Sequence, residues 1–329
     1  MSGVSVPPIK VKRPGWGVAV AWIAVWIVAG FGLAWLARGV DWAQVRSALA
    51  TADFAWVLVA CAVSQLALPL WIMAWRALIP DPPPPGRLLE VQTVMLAGIQ
   101  TLSILGGGVV AVFMLVRRAG LGYGGAVSIL ALDQVLTGLT KVVLVGAAVS
   151  FSPAPASMRS AGLAFVAAVT ALCCAVLALS YSRGFVSRLS TVGGGPRARL
   201  LTGAGDVARG LAAARTPGRF GFALVCYIAR RSIEGVAGLC VMRACGVPVS
   251  WEAALLAVAA VSLSTVVPGP PGNLGVYEAA ATFAYAQTGV TPEKALALAI
   301  LQHVAFLSAA VLPGYVTLIV RRPWRSAAA

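Results

Sequence analysis

Two arginines and one glutamate stand in the middle of an otherwise apolar segment, FGFALVCYIARRSIEGVAGLCVM, which covers residues 220–242. An ionisable side chain inside a membrane helix costs about 2.5–3.5 kcal/mol on insertion, so such residues usually mark a functional site. Arg230 and Arg231 precede Glu234 by four and three residues, so on a helix either can pair with it. The other arginine then has a free guanidinium, whose planar fork of donors matches a phosphate. A buried ion pair that only fixes helix packing is the alternative interpretation.

A second set of polar residues lies on other apolar segments. Asp133, Thr137 and Lys141 recur at a spacing of four, which places them broadly on one helix face, from which they can meet the arginine-bearing helix. His303 is the single histidine of the chain and follows Gln302 in the last apolar segment. Because histidine titrates near neutral pH, His303 is a candidate proton relay, and a hydrogen-bonding residue of the core is the alternative.

Helix-breaking residues interrupt the apolar pattern in two places. The stretch VVPGPPGNLGVYEAA, residues 266–280, holds three prolines, three glycines and an asparagine, and an earlier stretch holds the glycine triplet 106–108. Irregular backbone at membrane depth must be buried in protein or line a watery cavity, and free N–H groups at the start of a half-helix suit an anion. The breaks therefore predict backbone that binds an anionic headgroup, or else kinks that serve packing. Glu278, next to Tyr277, is predicted either to cap such a half-helix or to gate a substrate.

The composition indicates the medium in which these residues act. The chain has 329 residues, of which 60% are hydrophobic and 11% are charged, whereas about a quarter of a soluble domain is charged. The net charge of +15 does not indicate nucleic-acid binding, because the positive charges cluster at the ends of apolar segments, as in cytoplasmic flanks of membrane helices. The six cysteines lack the C-x-x-C spacing of metal or redox sites and are predicted to be apolar packing residues. We therefore expect an all-α polytopic membrane protein.

Apolar runs of about 20 residues are long enough to cross a bilayer as helices. Six such runs are predicted as spans, at residues 16–37, 54–75, 126–149, 161–181, 220–242 and 295–320. Two further apolar regions, 88–116 and 251–287, contain the breaks, and each half is short for a span. Halves of that length favour two re-entrant hairpins, and pairs of full spans are the alternative.

The order of these features repeats along the chain. An arginine, a proline-bearing link, an acidic residue, a short apolar helix and a break occur first from Arg76 and again from Arg243. Three predicted spans separate the copies, so the second is inverted, with its hairpin opposed to the first, as in many secondary transporters. The arginine clusters place both termini in the cytoplasm. The predicted organisation is a single membrane domain over 1–329, with a first repeat at 54–181, a basic cytoplasmic loop at 182–219 and a second repeat at 220–320.

The second break also resembles a known family. The matching residues are Pro268, Gly269, Gly272, Gly275, Val276 and Glu278. They resemble the P-G-x-x-G-x-x-E-type signature of the lysylphosphatidylglycerol synthase transmembrane family, the flippase-like membrane domain of multiple peptide resistance factors. LGGGVVAVFMLVRRAGL is similar to that family's G-E-x-x-R-type segment, although Ala111 and Val112 stand where polar residues are expected. ALDQVL lacks the arginine of an acidic-arginine pair, and the resemblance covers about residues 15–322.

The resemblance implies movement of headgroup-bearing or lipid-linked molecules: phospholipids, glycolipids, polyprenyl-linked sugars or hopanoid-related lipids. We therefore expect a lipid flippase of the bacterial cytoplasmic membrane. Because the sequence lacks H-E-x-x-H, P-loop and G-x-S-x-G motifs, we expect no enzyme activity, no metal and no cofactor. The expected partner is the lipid, with a lipid-biosynthesis enzyme or a second copy as further candidates. A membrane scaffold for a lipid-modifying enzyme and an intramembrane enzyme are the alternatives.

The candidate substrate-binding residues are the intramembrane charges, the two breaks and a pair of arginines after the first break. They are Arg230, Arg231, Glu234, Asp133, Lys141, Pro268, Gly269, Gly272, Asn273, Tyr277, Glu278, Gly106, Gly107, Gly108, Arg117 and Arg118, with His303 as the proton relay candidate. Among the five charges on the two helices, three are positive and two are negative. The surplus of one positive charge predicts an anionic headgroup.

Overall fold

The computed structural model describes residues 27, 30, 39–101, 104–152, 156–181, 216–265 and 270–321, and its regular elements there are all helical. Apart from residues 27 and 30, the predicted first span at 16–37 lies outside the described residues. Most of the predicted basic loop at 182–219 does too. The expectation of an all-helical chain is confirmed for the described part.

The first described helices combine a short amphipathic helix with a long apolar span. Helix α1 (Trp42–Ala50) was not predicted and begins at Asp41, whose carboxylate accepts hydrogen bonds from two backbone N–H groups of the first turn. Helices α2 (Phe54–Gln65) and α3 (Ala67–Leu78) are separated by one residue that keeps right-handed helical angles. Together they form an apolar span of 25 residues.

The next helices include the residues of the first predicted break. They are α4 (Pro85–Thr101), α5 (Ile104–Arg117), α6 (Tyr123–Phe151) and α7 (Ala156–Tyr181). Gly106, Gly107 and Gly108 were predicted as the break, but they lie within α5. The physical reason is packing: a Cβ on Gly107 would lie 2.7 Å from the backbone N of Ile99 and 2.9 Å from the backbone O of Met95. The glycine allows α4 and α5 to approach closely.

The second half of the chain is broken where the sequence predicts. Its elements are α8 (Pro217–Ala244), α9 (Trp251–Ser264), a 3-10 turn (Pro271–Asn273), α10 (Val276–Ala286) and α11 (Pro292–Arg321). Between α9 and α10, Gly272, Asn273 and Gly275 have φ angles of 70°, 53° and 82°. These left-handed conformations suit glycine and asparagine, so the backbone leaves the helix here without strain.

In the described part of the chain, three helical segments are long and apolar enough to cross a membrane, the first of them formed by α2 and α3 together. They are Phe54–Leu78, Tyr123–Phe151 and Pro292–Val320, which cover the predicted spans at 54–75, 126–149 and 295–320. The predicted span at 220–242 is the middle of α8, a helix of 28 residues whose central charges lower its hydropathy. The chain is therefore an α-helical membrane protein, and the total of six spans stays a prediction.

Helix α8 lies at the centre of the described helices, because it packs along α2 and α3 and also contacts α6, α9 and α11. Its first half contributes Ala223 and Tyr227 to an apolar core with α3, α4, α5 and α6. Its second half contributes Ala237 and Val241 to a second core with α2, α9, α10 and α11. The charged residues at 230–234 fall between these two cores, and this position defines the candidate site.

Candidate functional site

A buried carboxylate anchors one side of the site. Asp133 on α6 is 4% exposed. Its Oδ1 accepts hydrogen bonds from the indole Nε1 of Trp71 at 2.7 Å, the indole Nε1 of Trp75 at 3.0 Å, and the hydroxyl of Tyr227. Its Oδ2 accepts from Nε2 of Gln134 at 3.3 Å. The carboxylate is thus fully hydrogen-bonded, as a buried charge must be, and it joins α3, α6 and α8.

Arg230 lies against the aromatic members of this cluster. Its guanidinium carbon is 4.4 Å from the ring centroid of Trp71 and 6.0 Å from that of Tyr227, which is cation–π geometry. No carboxylate of the described residues, Asp133 included, comes within ion-pairing distance of it, and no hydrogen bond to it is found there. Of the two adjacent arginines at 230 and 231, Arg230 is therefore the one that makes no direct ion pair in the described part of the chain, although the charges of Asp133 and Glu234 lie near enough to act on it.

Arg231 is the arginine that pairs with the glutamate. Its Nη1 lies 2.6 Å from Oε2 of Glu234, three residues later on α8, and the two side chains are 21% and 22% exposed. This is one of the two pairings that helical spacing allows. The pair is compensated, so the surplus positive charge on the helix resides on Arg230.

A small cavity opens between the two apolar cores. Its volume is about 30 Å³, and it lies between α2, α3, α4, α8, α10 and α11. Arg230 and Glu234 line it together with polar atoms of Ser64, Tyr277 and Gln302, and the remaining lining is apolar. Arg231, which we expected beside Arg230, is not among the lining residues.

The start of α10 carries its own carboxylate. Oε2 of Glu278 accepts a hydrogen bond of 2.6 Å from the backbone N–H of Gly275, while its Oε1 lies 2.7 Å from Nδ1 of His303 on α11. The Tyr277 ring stacks on the imidazole with centroids 4.1 Å apart. Of the two roles predicted for Glu278, the structure shows capping. An anionic headgroup was expected at this half-helix, and Glu278 already occupies that position.

Lys141 binds the C-terminal end of α9, the half-helix before the second break. Its Nζ donates to Oγ1 of Thr265 at 3.0 Å and to the backbone O of Ser262 at 3.4 Å, in the last turn of α9. A cation at a helix C-terminus is favourable. Lys141 therefore does not pair with Asp133, because the two residues lie two turns apart and bind different helices.

The remaining candidates lie in two places, at the second break and at the C-terminal end of α5. The turn at 271–273 packs on α4, where a Cβ on Gly272 would lie 3.8 Å from the backbone O of Gln100. Asn273 belongs to this turn, while Pro268 and Gly269 lie outside the described residues. The turn of the second break therefore lies against the C-terminal end of α4.

Arg117 and Arg118 lie at the opposite end of α5, about 20 Å from its start. Nε of Arg118 is 3.8 Å from Oε2 of Glu90, an ion pair that joins the outer ends of α5 and α4, and Arg117 lies over the Phe113 ring. Neither arginine lines the cavity.

The sequence did not reveal the aromatic partners of the site. Trp71 and Trp75 are spaced by four, which places their indole N–H groups on one helix face. That spacing is the one sequence signal for a shared hydrogen-bond partner, because a single tryptophan in an apolar span is indistinguishable from a core residue. Tyr227 and Gln302 carried no comparable signal.

Comparison with known proteins gives one match. The family model of the lysylphosphatidylglycerol synthase TM region matches residues 17–314. No curated protein and no solved structure matches the chain. The matched residues cover most of the sequence, include both breaks, and agree with the resemblance seen at the second break. The chain therefore belongs to the lysylphosphatidylglycerol synthase transmembrane-region family.

Proposed function

We propose that this protein is a lipid flippase-type transporter and that Arg230 binds the anionic headgroup of its substrate. One observation carries the proposal: Arg230 lines the cavity, an aromatic ring lies beside its guanidinium, and no described carboxylate is within ion-pairing distance. A cation without a counter-ion at membrane depth is costly, so a counter-charge is expected. A phosphate supplies it, and a guanidinium binds phosphate through two parallel hydrogen bonds.

The buried cluster prepares Arg230 for this role. Asp133 fixes the indole of Trp71 and the ring of Tyr227, and these two rings support the guanidinium. Because three donors already use Oδ1 of Asp133, this oxygen is saturated as an acceptor. A rigid support of this kind lowers the cost of ordering the arginine when a ligand binds.

The size of the cavity indicates how a lipid would enter. A volume of about 30 Å³ holds one or two water molecules, so a headgroup requires the surrounding helices to separate. These helices come from both predicted repeats. Movement of one repeat against the other would open the cavity laterally to lipid, which is the movement of alternating access.

The packing of the helices supports the proposed inverted repeat of six spans and two opposed re-entrant hairpins. Helix α4 packs on α11, and in the equivalent position of the other repeat α9 packs on α6. When the repeats are aligned at Arg76 and Arg243, Trp71 corresponds to Gly238. Trp71 contacts Asp133, and Gly238 lies beside Gln302, because a Cβ on Gly238 would be 3.2 Å from Nε2 of Gln302. Equivalent contacts in both halves are what a pseudo-two-fold axis produces.

Labelling of single cysteines tests this topology. Arg117→Cys is expected to react with a membrane-impermeant maleimide only from the cytoplasmic side, and Glu252→Cys only from the opposite side, with both termini cytoplasmic. The background is a variant without the six native cysteines, which are free thiols. Labelling of both positions from the same side would exclude the inverted arrangement.

The family description names a class of substrate. Lysylphosphatidylglycerol is a phospholipid, and its phosphate is the group that Arg230 would bind. We extend the proposal to phosphate-bearing lipids of the bacterial cytoplasmic membrane, including polyprenyl-linked ones, and leave uncharged hopanoid-related and glycolipid substrates as less suited to Arg230. A lipid-biosynthesis enzyme is a proposed partner, because a flippase needs a supply of its lipid on one leaflet.

One observation favours a second candidate function, an intramembrane enzyme. Glu278 and His303 form a carboxylate–imidazole pair that resembles part of a catalytic triad. In the described part of the chain, however, no serine, threonine or cysteine is hydrogen-bonded to the other imidazole nitrogen, Nε2. The nucleophile that such a mechanism needs is thus not in place there, and we propose transport without catalysis.

Lipid binding by purified variants tests the role of Arg230. In native mass spectrometry, the parent is expected to retain phosphatidylglycerol in preference to uncharged monogalactosyldiacylglycerol. Arg230→Gln should weaken phosphatidylglycerol binding roughly ten- to a hundredfold, because it removes a charge-assisted hydrogen bond worth about 1.5–3 kcal/mol.

The matched control is Arg243→Gln, which removes an arginine from the same helix but outside the cavity, where Arg243 lies over the ring of Trp56. This control should bind lipid as the parent does. Equal binding by the parent and the Arg230 variant would overturn the proposal and favour a scaffold with structural charges.

A further inference from the structure

A buried acid–base pair stands beside the proposed headgroup site without a role in it. Nδ1 of His303 lies 2.7 Å from Oε1 of Glu278, and the two side chains are 3% and 13% exposed. Nε2 of His303 is buried and has no hydrogen-bond partner in the described part of the chain. An unpaired nitrogen on a buried imidazole is uncommon in a purely structural histidine and calls for an explanation.

The hydrogen bonds define where a proton can be gained. Glu278 accepts from the Gly275 N–H with one oxygen, so a charged carboxylate accepts from Nδ1–H of His303 with the other. The neutral imidazole then has its lone pair on Nε2. Proton uptake at Nε2 forms an imidazolium and changes the net charge of the pair from −1 to 0, while no other bond forms or breaks.

We propose that the Glu278–His303 pair is the proton-binding site that couples lipid translocation to a proton gradient. This inference rests on the proposed function, because the pair would bind the proton that drives transport next to the proposed headgroup cavity. Two residues connect the pair to the cavity. Tyr277 stacks on His303 and lines the cavity together with Arg230. Gln302, which precedes His303 in the chain, also lines the cavity.

The surrounding charges determine the sign of the coupling. The titratable and charged groups on the elements packed around the pair are Arg219, Cys226, Tyr227, Arg230, Arg231, Glu234, Cys240 and Arg243 on α8, Tyr277 and Tyr285 on α10, Arg87 and Glu90 on α4, Cys61 on α2, Arg46 on α1, Glu252 on α9, and Glu293, Lys294, Tyr315 and Arg321 on α11. Arg231 and Glu234 compensate each other. A proton on His303 therefore adds net positive charge beside Arg230 and attracts an anionic headgroup. By reciprocity, headgroup binding must promote proton uptake.

The break next to the pair provides a way to transmit this charge change. Gly272, Asn273 and Gly275 hold left-handed conformations directly before α10, and the Gly275 N–H is itself bonded to Glu278. The strength of this cap depends on how the carboxylate is shared between the helix N-terminus and the imidazole. Protonation of His303 therefore changes the strength of the cap, and with it the angle between α10 and the preceding turn.

Proton uptake by the purified protein gives the direct test. Dihexanoyl phosphatidylglycerol is added in weakly buffered detergent solution near neutral pH, with a pH-sensitive dye as the readout. Its phosphodiester does not titrate in this range, so uptake of up to about one proton per chain reports on the protein. Uptake by the parent and none by His303→Asn is the expected result. Asparagine places an N–H at the position of Nδ1 but cannot bind the proton.

The pH dependence of binding separates this inference from the function on which it rests. Parent binding of phosphatidylglycerol should tighten as the pH falls, and binding by His303→Asn should be independent of pH. Glu278→Gln, which keeps an acceptor for the Gly275 N–H, should lose the same dependence. If the parent binds equally at all pH values while Arg230→Gln binds poorly, the proton site is wrong and the headgroup site stands. If the parent binds no phosphatidylglycerol at any pH, the proposed function itself fails.

Discussion

At the residue scale, the site shows how an apolar protein retains five intramembrane charges. Asp133 keeps its negative charge, which hydrogen bonds from two indoles and a phenol stabilise. Arg231 is compensated by Glu234, and Lys141 by helix-end acceptors of α9. Arg230 has a ring but no anion among the described residues. The asymmetry among otherwise similar charges is what distinguishes a binding residue from structural ones.

Substitution of Asp133 tests whether the donor cluster is structural. Asp133→Ala removes the acceptor of the Tyr227 hydroxyl and one of two acceptors of each indole N–H, since the indoles of Trp71 and Trp75 also lie 3.0 and 3.3 Å from the Tyr227 hydroxyl oxygen. The substitution should destabilise the protein by about 1–3 kcal/mol and lower its melting temperature in detergent. Asp133→Asn keeps an oxygen acceptor of similar shape and should cost less. A melting temperature of Asp133→Ala equal to that of the parent would show that the cluster contributes nothing to folding.

The charged residues were predictable from sequence because ionisable groups stand out in apolar segments. Their partners were not, because Trp71 reads as an apolar residue until folding brings it to Asp133, which lies 62 positions away in the chain. The pairing of His303 with Glu278 was likewise invisible, since it depends on the angle between α10 and α11. Spacing within one helix is encoded locally, whereas contacts between helices need the fold.

At the element scale, the two breaks differ in what glycine does. In the second, Gly272 and Gly275 supply left-handed backbone where a helix stops. In the first, the glycine triplet is helical, and Gly107 serves the close packing of α5 on α4. Composition alone does not separate these uses, because glycine both loosens a helix and lets two helices approach. This ambiguity explains why the glycine triplet was predicted as a break although it is helical.

Alanine at two neighbouring glycines distinguishes these uses experimentally. Gly107→Ala would place a Cβ 2.3 Å from Cγ1 of Ile99 and close to the α4 backbone, so overpacking should cost about 1–3 kcal/mol of stability. Gly108→Ala, one residue later on the same helix, meets nothing within 4 Å and should be neutral or stabilising by up to about 1 kcal/mol. Thermal unfolding in detergent compares the two. Equal melting temperatures would mean that α4 and α5 are not packed as described.

At the scale of the whole molecule, the site lies where the two predicted repeats meet. Helix α8 contributes one half to each apolar core, and its charges occupy the boundary between the cores. Both cores contain helices of both predicted repeats, so the proposed movement of one repeat against the other would rearrange each core. The boundary brings the proposed headgroup-binding arginine close to the proposed proton site.

Lipid movement in reconstituted vesicles tests the central claim most directly. Vesicles carry phosphatidylglycerol with a fluorescent acyl chain, and the rate at which the inner-leaflet lipid becomes accessible to a membrane-impermeant quencher measures translocation. The account predicts movement well above that in protein-free vesicles for the parent and for Arg243→Gln, and a loss of roughly tenfold or more for Arg230→Gln, because the headgroup loses its charged partner. Movement by the parent no faster than in protein-free vesicles, or equal movement by the parent and Arg230→Gln, would contradict it.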